Sequence, residues 1–290
     1  MMKARNAILL FAAPFAFSSC VFAGEASGEF VAGKRPPIKP RYAAAFETRD
    51  QRDGRKRIVE VVLSEEPVDV SAAVAELDPH ANVINQKALS EHNYVLLWVR
   101  PGNDVSMNAT YAATMTQFVE MTSDRMKAEL TANTMDRVAG RIFSPKSLKM
   151  DAEAYSIDLT FSTAVTHAPA GVRLPAGGGE PAQAFRALQA AIAKNDWEGI
   201  KRNVTAKNLE SFNDADRTAK ENLDDAVQTL GLWLPKKSGK VTGGELRGDI
   251  AILELQSEVF EGQDGLFLIR MIKNGLWQFD RATRAGLIDK

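Results

Sequence analysis

Histidine and cysteine are scarce in this chain, and their scarcity removes whole classes of chemistry. The three histidines, His80, His92 and His167, are far apart and form no paired helical ligand spacing, so no metal centre is expected. Asp214-Ala215-Asp216 lacks the glycine and the distal glutamate of a calcium loop. No Gly-x-Ser-x-Gly elbow, phosphate loop or dinucleotide fingerprint occurs, and no cofactor is expected. Charge of one sign is lacking too: 36 Lys and Arg against 37 Asp and Glu leave a formal net charge of −1, which argues against a nucleic-acid partner. The one local excess runs from Lys34 to Arg57, with Arg35, Lys39, Arg41, Arg49, Arg52, Arg55 and Lys56 against Glu47, Asp50 and Asp53. It reads as a solvated hairpin loop around Asp53-Gly54, with anionic lipid or an acidic partner as the alternative.

The N-terminus points to export. Lys3 and Arg5 precede the apolar run Ala7 to Phe17, followed by small residues and Val21-Phe22-Ala23, so residues 1–23 have the form of a signal peptide cleaved after Ala23. The run is short and contains Pro14, which disfavours a membrane span. Phe17-Ser18-Ser19-Cys20 resembles the lipoprotein box of bacteria, with Phe17 in place of the usual leucine. Two fates stay open: a periplasmic or secreted protein without cysteine or disulfide, or one anchored to a membrane surface through a lipid on Cys20.

The mature chain divides in two. Residues 24–165 read as a mainly-β domain, a sandwich or partly closed barrel, with strands near Glu29–Ala32, Tyr42–Thr48, Arg57–Leu63, Tyr94–Val99, Thr116–Met121, Met126–Ala132, Val138–Phe143 and Tyr155–Phe161. One helix is expected over Val70–Leu77, ended by Asp78-Pro79. Phrases such as Tyr42-Ala43-Ala44-Ala45-Phe46 and Gly140-Arg141-Ile142-Phe143 resemble those of an uncharacterised exported bacterial β-domain family. Residues 166–180, rich in Gly, Pro and Ala, read as a linker.

From residue 181 to 290 helices come first and strands after. Ala184, Phe185, Leu188 and Ile192 recur at helical spacing behind Pro181, and short helical pieces are expected at Asp196–Ile200 and Thr205–Phe212. A longer helix starts at Asp214 and stops at Gly231. In the strands that follow, Ala251, Leu253, Leu255, Phe267, Ile269, Met271, Trp277 and Phe279 share one face, with Asn274-Gly275 as a turn. The opposite face keeps Ile250, Ile252, Leu266, Leu268 and Ile272 beside Glu254, Glu258 and Arg270. So many aliphatics predict cover, by a second copy of the chain or by the front domain, with Arg270 in a cross-strand pair with Glu254 or Glu258.

This order, with Lys194-Asn195-Asp196-Trp197 behind the first helix and Gly275-Leu276-Trp277-Gln278-Phe279-Asp280 at the close, resembles the nuclear-transport-factor-like, or ketosteroid-isomerase-like, conical α+β family. The resemblance implies a cone of helices packed on a curved antiparallel sheet, a fold that hosts enzymes, carriers and assembly modules alike. The isomerase pattern is not kept: all four tyrosines lie in the front domain, and the inner sheet face carries no carboxylate. Trp197, Phe212, Trp233, Trp277 and Phe279 either line a pocket for an apolar small molecule or fill the core. The expectation is a non-enzymatic exported protein of binding or assembly role. The alternative is an apolar-ligand carrier, or an enzyme in the cone with Glu210 or Asp224 as its acid.

Overall fold

The computed structural model describes residues 24–235 and 239–288; the expected signal peptide and Cys20 lie outside them. Most of the chain is antiparallel sheet. The first sheet is built from β1 (Gly24–Ala32), β2 (Tyr42–Arg49), β3 (Arg57–Ser64), β4 (Tyr94–Arg100), β5 (Asp104–Tyr111), β6 (Thr116–Met121), β7 (Lys127–Asn133), β8 (Arg137–Phe143), β9 (Leu148–Met150) and β10 (Glu153–Thr166). Its order is β6-β5-β4-β3-β2-β1-β10-β8-β7, with β9 beside β10. The two edge strands, β6 and β7, are consecutive in sequence and joined only by residues 122–126, where Thr122 and Met126 form a bridge. Such a sheet must curl until its edges approach, and it forms a half-barrel; the sandwich alternative, two facing sheets, falls.

Alternation explains what fills the curl. Val59, Val61 and Leu63 of β3 and Val95, Leu97 and Val99 of β4 point inward, onto a cluster that includes Phe30, Tyr111, Phe118 and Tyr155. The Phe118 ring lies 5.2 Å from that of Tyr155 and 5.4 Å from that of Phe30. Phe46, Val62 and Leu96 point the other way and are covered by Val70, Val74, Val83 and Leu89 of the β3–β4 connection.

That connection corrects an expectation. Over residues 70–77 only Ala73–Ala75 make a helical turn, of the tighter 3₁₀ kind. The α-helices follow as α1 (Pro79–Ile84) and α2 (Lys87–Ser90). Asp78-Pro79 therefore starts a helix instead of stopping one: the Asp78 carboxylate accepts a hydrogen bond from Ala81 N at 3.0 Å, and Pro79 takes the first helical position.

The second sheet comprises β11 (Val172–Arg173), β12 (Lys240–Arg247), β13 (Ile250–Phe260), β14 (Gln263–Asn274) and β15 (Leu276–Leu287), in that order. Part of the stretch expected as linker is thus an edge strand, with Val172 and Arg173 opposite Leu246 and Glu245. Four helices, α3 (Gly179–Ala193), α4 (Trp197–Asn203), α5 (Ala206–Phe212) and α6 (Ala219–Trp233), lie between β11 and β12. Phe185 and Leu188 of α3 and Ala226 and Leu230 of α6 bury against Ala251, Leu253, Ile269, Met271 and Phe279 of the sheet.

The α6 boundaries differ from expectation at both ends. Thr218 caps the helix, not Asp214: Glu221 N donates to Thr218 Oγ1 at 3.3 Å, and Thr218 N donates to the Glu221 carboxylate at 2.8 Å. The helix runs through Gly231, which costs about 1 kcal/mol relative to alanine but breaks no bond. Thr218→Ala is expected to lower stability by about 1 kcal/mol in a urea titration, the usual loss for a cap side chain. Among the described residues no helix is long and apolar enough to cross a membrane.

Candidate ligand-binding cleft

The outer face of the second sheet meets the first sheet's β3–β4 connection at one apolar point. Leu77 is buried among Ile252, Leu266, Leu268 and Ile288. Around this point the contact is polar. Arg49 pairs with Glu254, and Arg270 reaches Glu76 at 2.8 Å. Arg270 also lies 3.4 Å from Asp280. The expected cross-strand pair of Arg270 with Glu254 or Glu258 is not formed, because Ile252 is the residue across the ladder from Arg270 and Glu254 is taken by Arg49. Backbone contacts extend the junction: Gly54 N donates to Leu287 O at 2.7 Å, and a side chain at Gly286 would meet Asp50 O at 2.6 Å. The 50–56 loop therefore docks onto β15.

That docking changes the reading of the basic stretch. Its cations face acids brought from elsewhere in the chain: Arg35 meets Glu153, Arg49 meets Glu254 and Arg52 meets Asp104 at 2.6 Å, while Arg57 pairs with Glu47 inside the hairpin. Asp53, gripped by Arg55 and Lys56, is held down to about 2 by the Arg55 hydrogen bond.

Between the two sheets, beside Leu77, lies a cleft of about 650 Å³. The glycines at 243 and 244 leave two adjacent positions of β12 bare along its wall, opposite Glu254 and Leu253. A side chain at Gly244 is excluded: its φ is 148°, and a Cβ would lie 2.4 Å from Ile252 O. Three arginine–glutamate pairs border the space, Arg49–Glu254, Arg57–Glu47 and Arg247–Glu245, and Glu76, held from behind by Arg270, is a fourth bordering glutamate. Burial opposes the charge on Glu47, but its bonds from His167 and Arg57 prevail and lower it below the usual carboxylate range.

The wall also holds Glu60, on β3, with 0% of its surface exposed. Glu60 Oε1 lies 2.7 Å from His80 Nδ1, and Oε2, closed to solvent, makes no hydrogen bond of good geometry. Capping by Asp78 places His80 in the first turn of α1, above Glu60, with the Trp98 ring 6.1 Å from its own. Burial, with the charge of Asp78 beside it, pushes the Glu60 carboxyl upward, against the pull of His80 and, more weakly, of a Trp98 hydrogen bond. Burial also opposes a charge on His80, yet the Glu60 carboxylate outweighs it and raises the imidazole. Both groups hold their protons to higher pH than free side chains do.

The aromatic residues singled out from sequence are placed elsewhere, and none of the five lines this cleft. Phe212 and Phe279 are 2% and 0% exposed in the core of the second half, and Trp277 is buried at its margin. Trp197 is half-buried, edge-on to Phe212 at 6.5 Å, and Trp233 is 38% exposed at the end of α6. Glu210 and Asp224 are exposed on the helices. Among the described residues no group of three or more His, Cys, Asp or Glu is placed to hold a metal ion. Glu60 and His80 went unnoticed as a pair. The available signal was a single acid inside the aliphatic run Arg57-Ile58-Val59-Glu60-Val61-Val62-Leu63, which has to be buried if the run is a central strand. Comparison with family models, characterised proteins and solved structures returned no significant match.

Proposed function

We propose that this is an exported bacterial envelope protein with a non-enzymatic binding role, whose ligand enters the cleft between the two sheets. In this reading a β-rich domain over residues 24–165 and a nuclear-transport-factor-like α+β domain over 181–290 each supply one wall. The supporting observation is the cleft itself: about 650 Å³ between the two sheets, walled by the bare Gly243–Gly244 edge of β12 and by arginine–glutamate pairs, with the buried Glu60–His80 pair behind it. A concave space of this size carrying a few fixed polar groups is the usual form of a small-molecule site. The wall holds an acid–base pair, but among the described residues no nucleophile is hydrogen-bonded to it, which favours binding.

Gly243→Trp tests the proposal. A Cβ at Gly243 meets only the mobile end of Glu254, at 3.0 Å, so the indole is accommodated by occupying the cleft. Screening small polar molecules against the protein by saturation-transfer NMR is expected to give binders that the G243W variant no longer recognises. Binders indifferent to G243W would move the site elsewhere, and the absence of any binder would count against a cleft ligand.

A second reading, an apolar-ligand carrier, draws on Trp277 Nε1 and Thr205 Oγ1, both buried without partners in the second half. Organic extraction of the purified protein followed by mass spectrometry is its test, and repeated absence of a bound apolar molecule removes it.

A further inference from the structure

We propose that the cleft recognises an uncharged, polyhydroxylated ligand, a short neutral saccharide. This rests on the cleft being the binding site, and it follows from how the walls distribute charge and aromatic surface. The four bordering glutamates each already face an arginine. An ionic ligand held at these pairs would have to strip a partner from one of them, leaving a half-buried charge uncompensated. A hydroxyl does not. It donates to a carboxylate and accepts from a guanidinium at once, and such bonds to charged groups are stronger than bonds between neutral ones.

Behind the wall Glu60 is paired with His80 and closed to solvent, so no free carboxylate there calls for a cationic ligand. Nearby surface suits the other side of a sugar ring. Trp98 is half-buried beside His80, and Phe260 stands 62% exposed on the rim, so apolar C–H faces meet aromatic planes while hydroxyl edges meet the ion pairs. A volume of about 650 Å³ lies in the range of small-molecule sites. Arg173 and Arg284, exposed at the rim, make an anion the competing class.

The test uses the mature protein and its G243W variant with maltotriose, chitotriose and xylotriose as neutral probes, citrate as the anion and spermidine as the cation. Saturation-transfer NMR and tryptophan fluorescence report binding. The expected result is that at least one trisaccharide binds the wild type, that G243W weakens it at least tenfold, and that citrate and spermidine leave it in place. Vesicles doped with a glucosyl lipid, set against free maltotriose, separate a membrane-borne sugar from a soluble one; binding to either supports the class. If citrate or spermidine binds, G243W abolishes that binding and no trisaccharide binds, the ligand class is wrong while the cleft stands. If no probe binds and the wider polar screen is also empty, both fail.

Discussion

Leu77→Asp is expected to destabilise the protein by about 3–5 kcal/mol and to part the two sheets. Leu77 is 3% exposed and, among the described residues, is the only one of the first half in its apolar cluster, where it meets Ile252, Leu266, Leu268 and Ile288. Full burial of a leucine contributes about 1.5–3 kcal/mol, which the substitution forfeits. The new carboxylate would also follow Glu76 and precede Asp78, both acidic, while Arg270 and Arg281, the cations beside Glu76, already face acids. Nothing there compensates its desolvation. The measurements are a urea titration, the radius of gyration from small-angle scattering, and proteolysis within residues 166–180. Leu77→Met, which conserves volume, is expected to cost less than about 1.5 kcal/mol and to leave the scattering unchanged. A Leu77→Asp protein with unaltered stability and scattering would show that the polar contacts alone join the sheets.

The residues that could be read from sequence are those whose placement depends on local period. Alternation in 250–279 put Ala251, Leu253, Ile269 and Phe279 on one face, and they are that sheet's core. Strands of the first sheet were visible for the same reason, except β5 and the three-residue β9. Val105, Met107, Ala109 and Tyr111 do alternate inward there, but Asp104, Ser106 and Asn108 between them weaken the strand signal. Asp78-Pro79 misled because that dipeptide ends helices and also begins them, and only the bond from Ala81 N decides. The cleft was not legible at all. Its parts come from β3, α1, β12 and β14, and what brings Glu60 near Gly243 is the burial of Leu77 on a sheet almost two hundred residues away, a contact with no periodic trace. Even the basic stretch could not be interpreted without the fold, since the acid for Arg49 is Glu254.

His80→Ala is the second large expectation, and pH gives it a direction. Removing the imidazole takes from the fully buried Glu60 its hydrogen bond at 2.7 Å, a loss of about 3–5 kcal/mol near neutral pH, typical of orphaning one member of a buried pair. That penalty belongs to the ionised carboxylate, so it shrinks as pH falls and Glu60 protonates. In the wild type both native pKa values stand above their ordinary values of 4.5 and 6.5. Between the ordinary and the raised values the folded state therefore binds more protons than the unfolded one, and stability declines as pH rises, by up to about 1.4 kcal/mol per pH unit for each proton held. The contribution from His80 is complete below its unfolded value and disappears above its folded one. Glu60→Leu combined with His80→Ala removes both groups, and the stability it recovers should be accompanied by loss of the pH slope. Denaturant titrations of the three proteins from about pH 5 to about pH 8 span this window. A wild-type stability that climbs with pH across it, or a double variant that keeps the slope, would mean that another titrating group governs, and that the Glu60–His80 bond at 2.7 Å is not where the folded chain holds its extra protons.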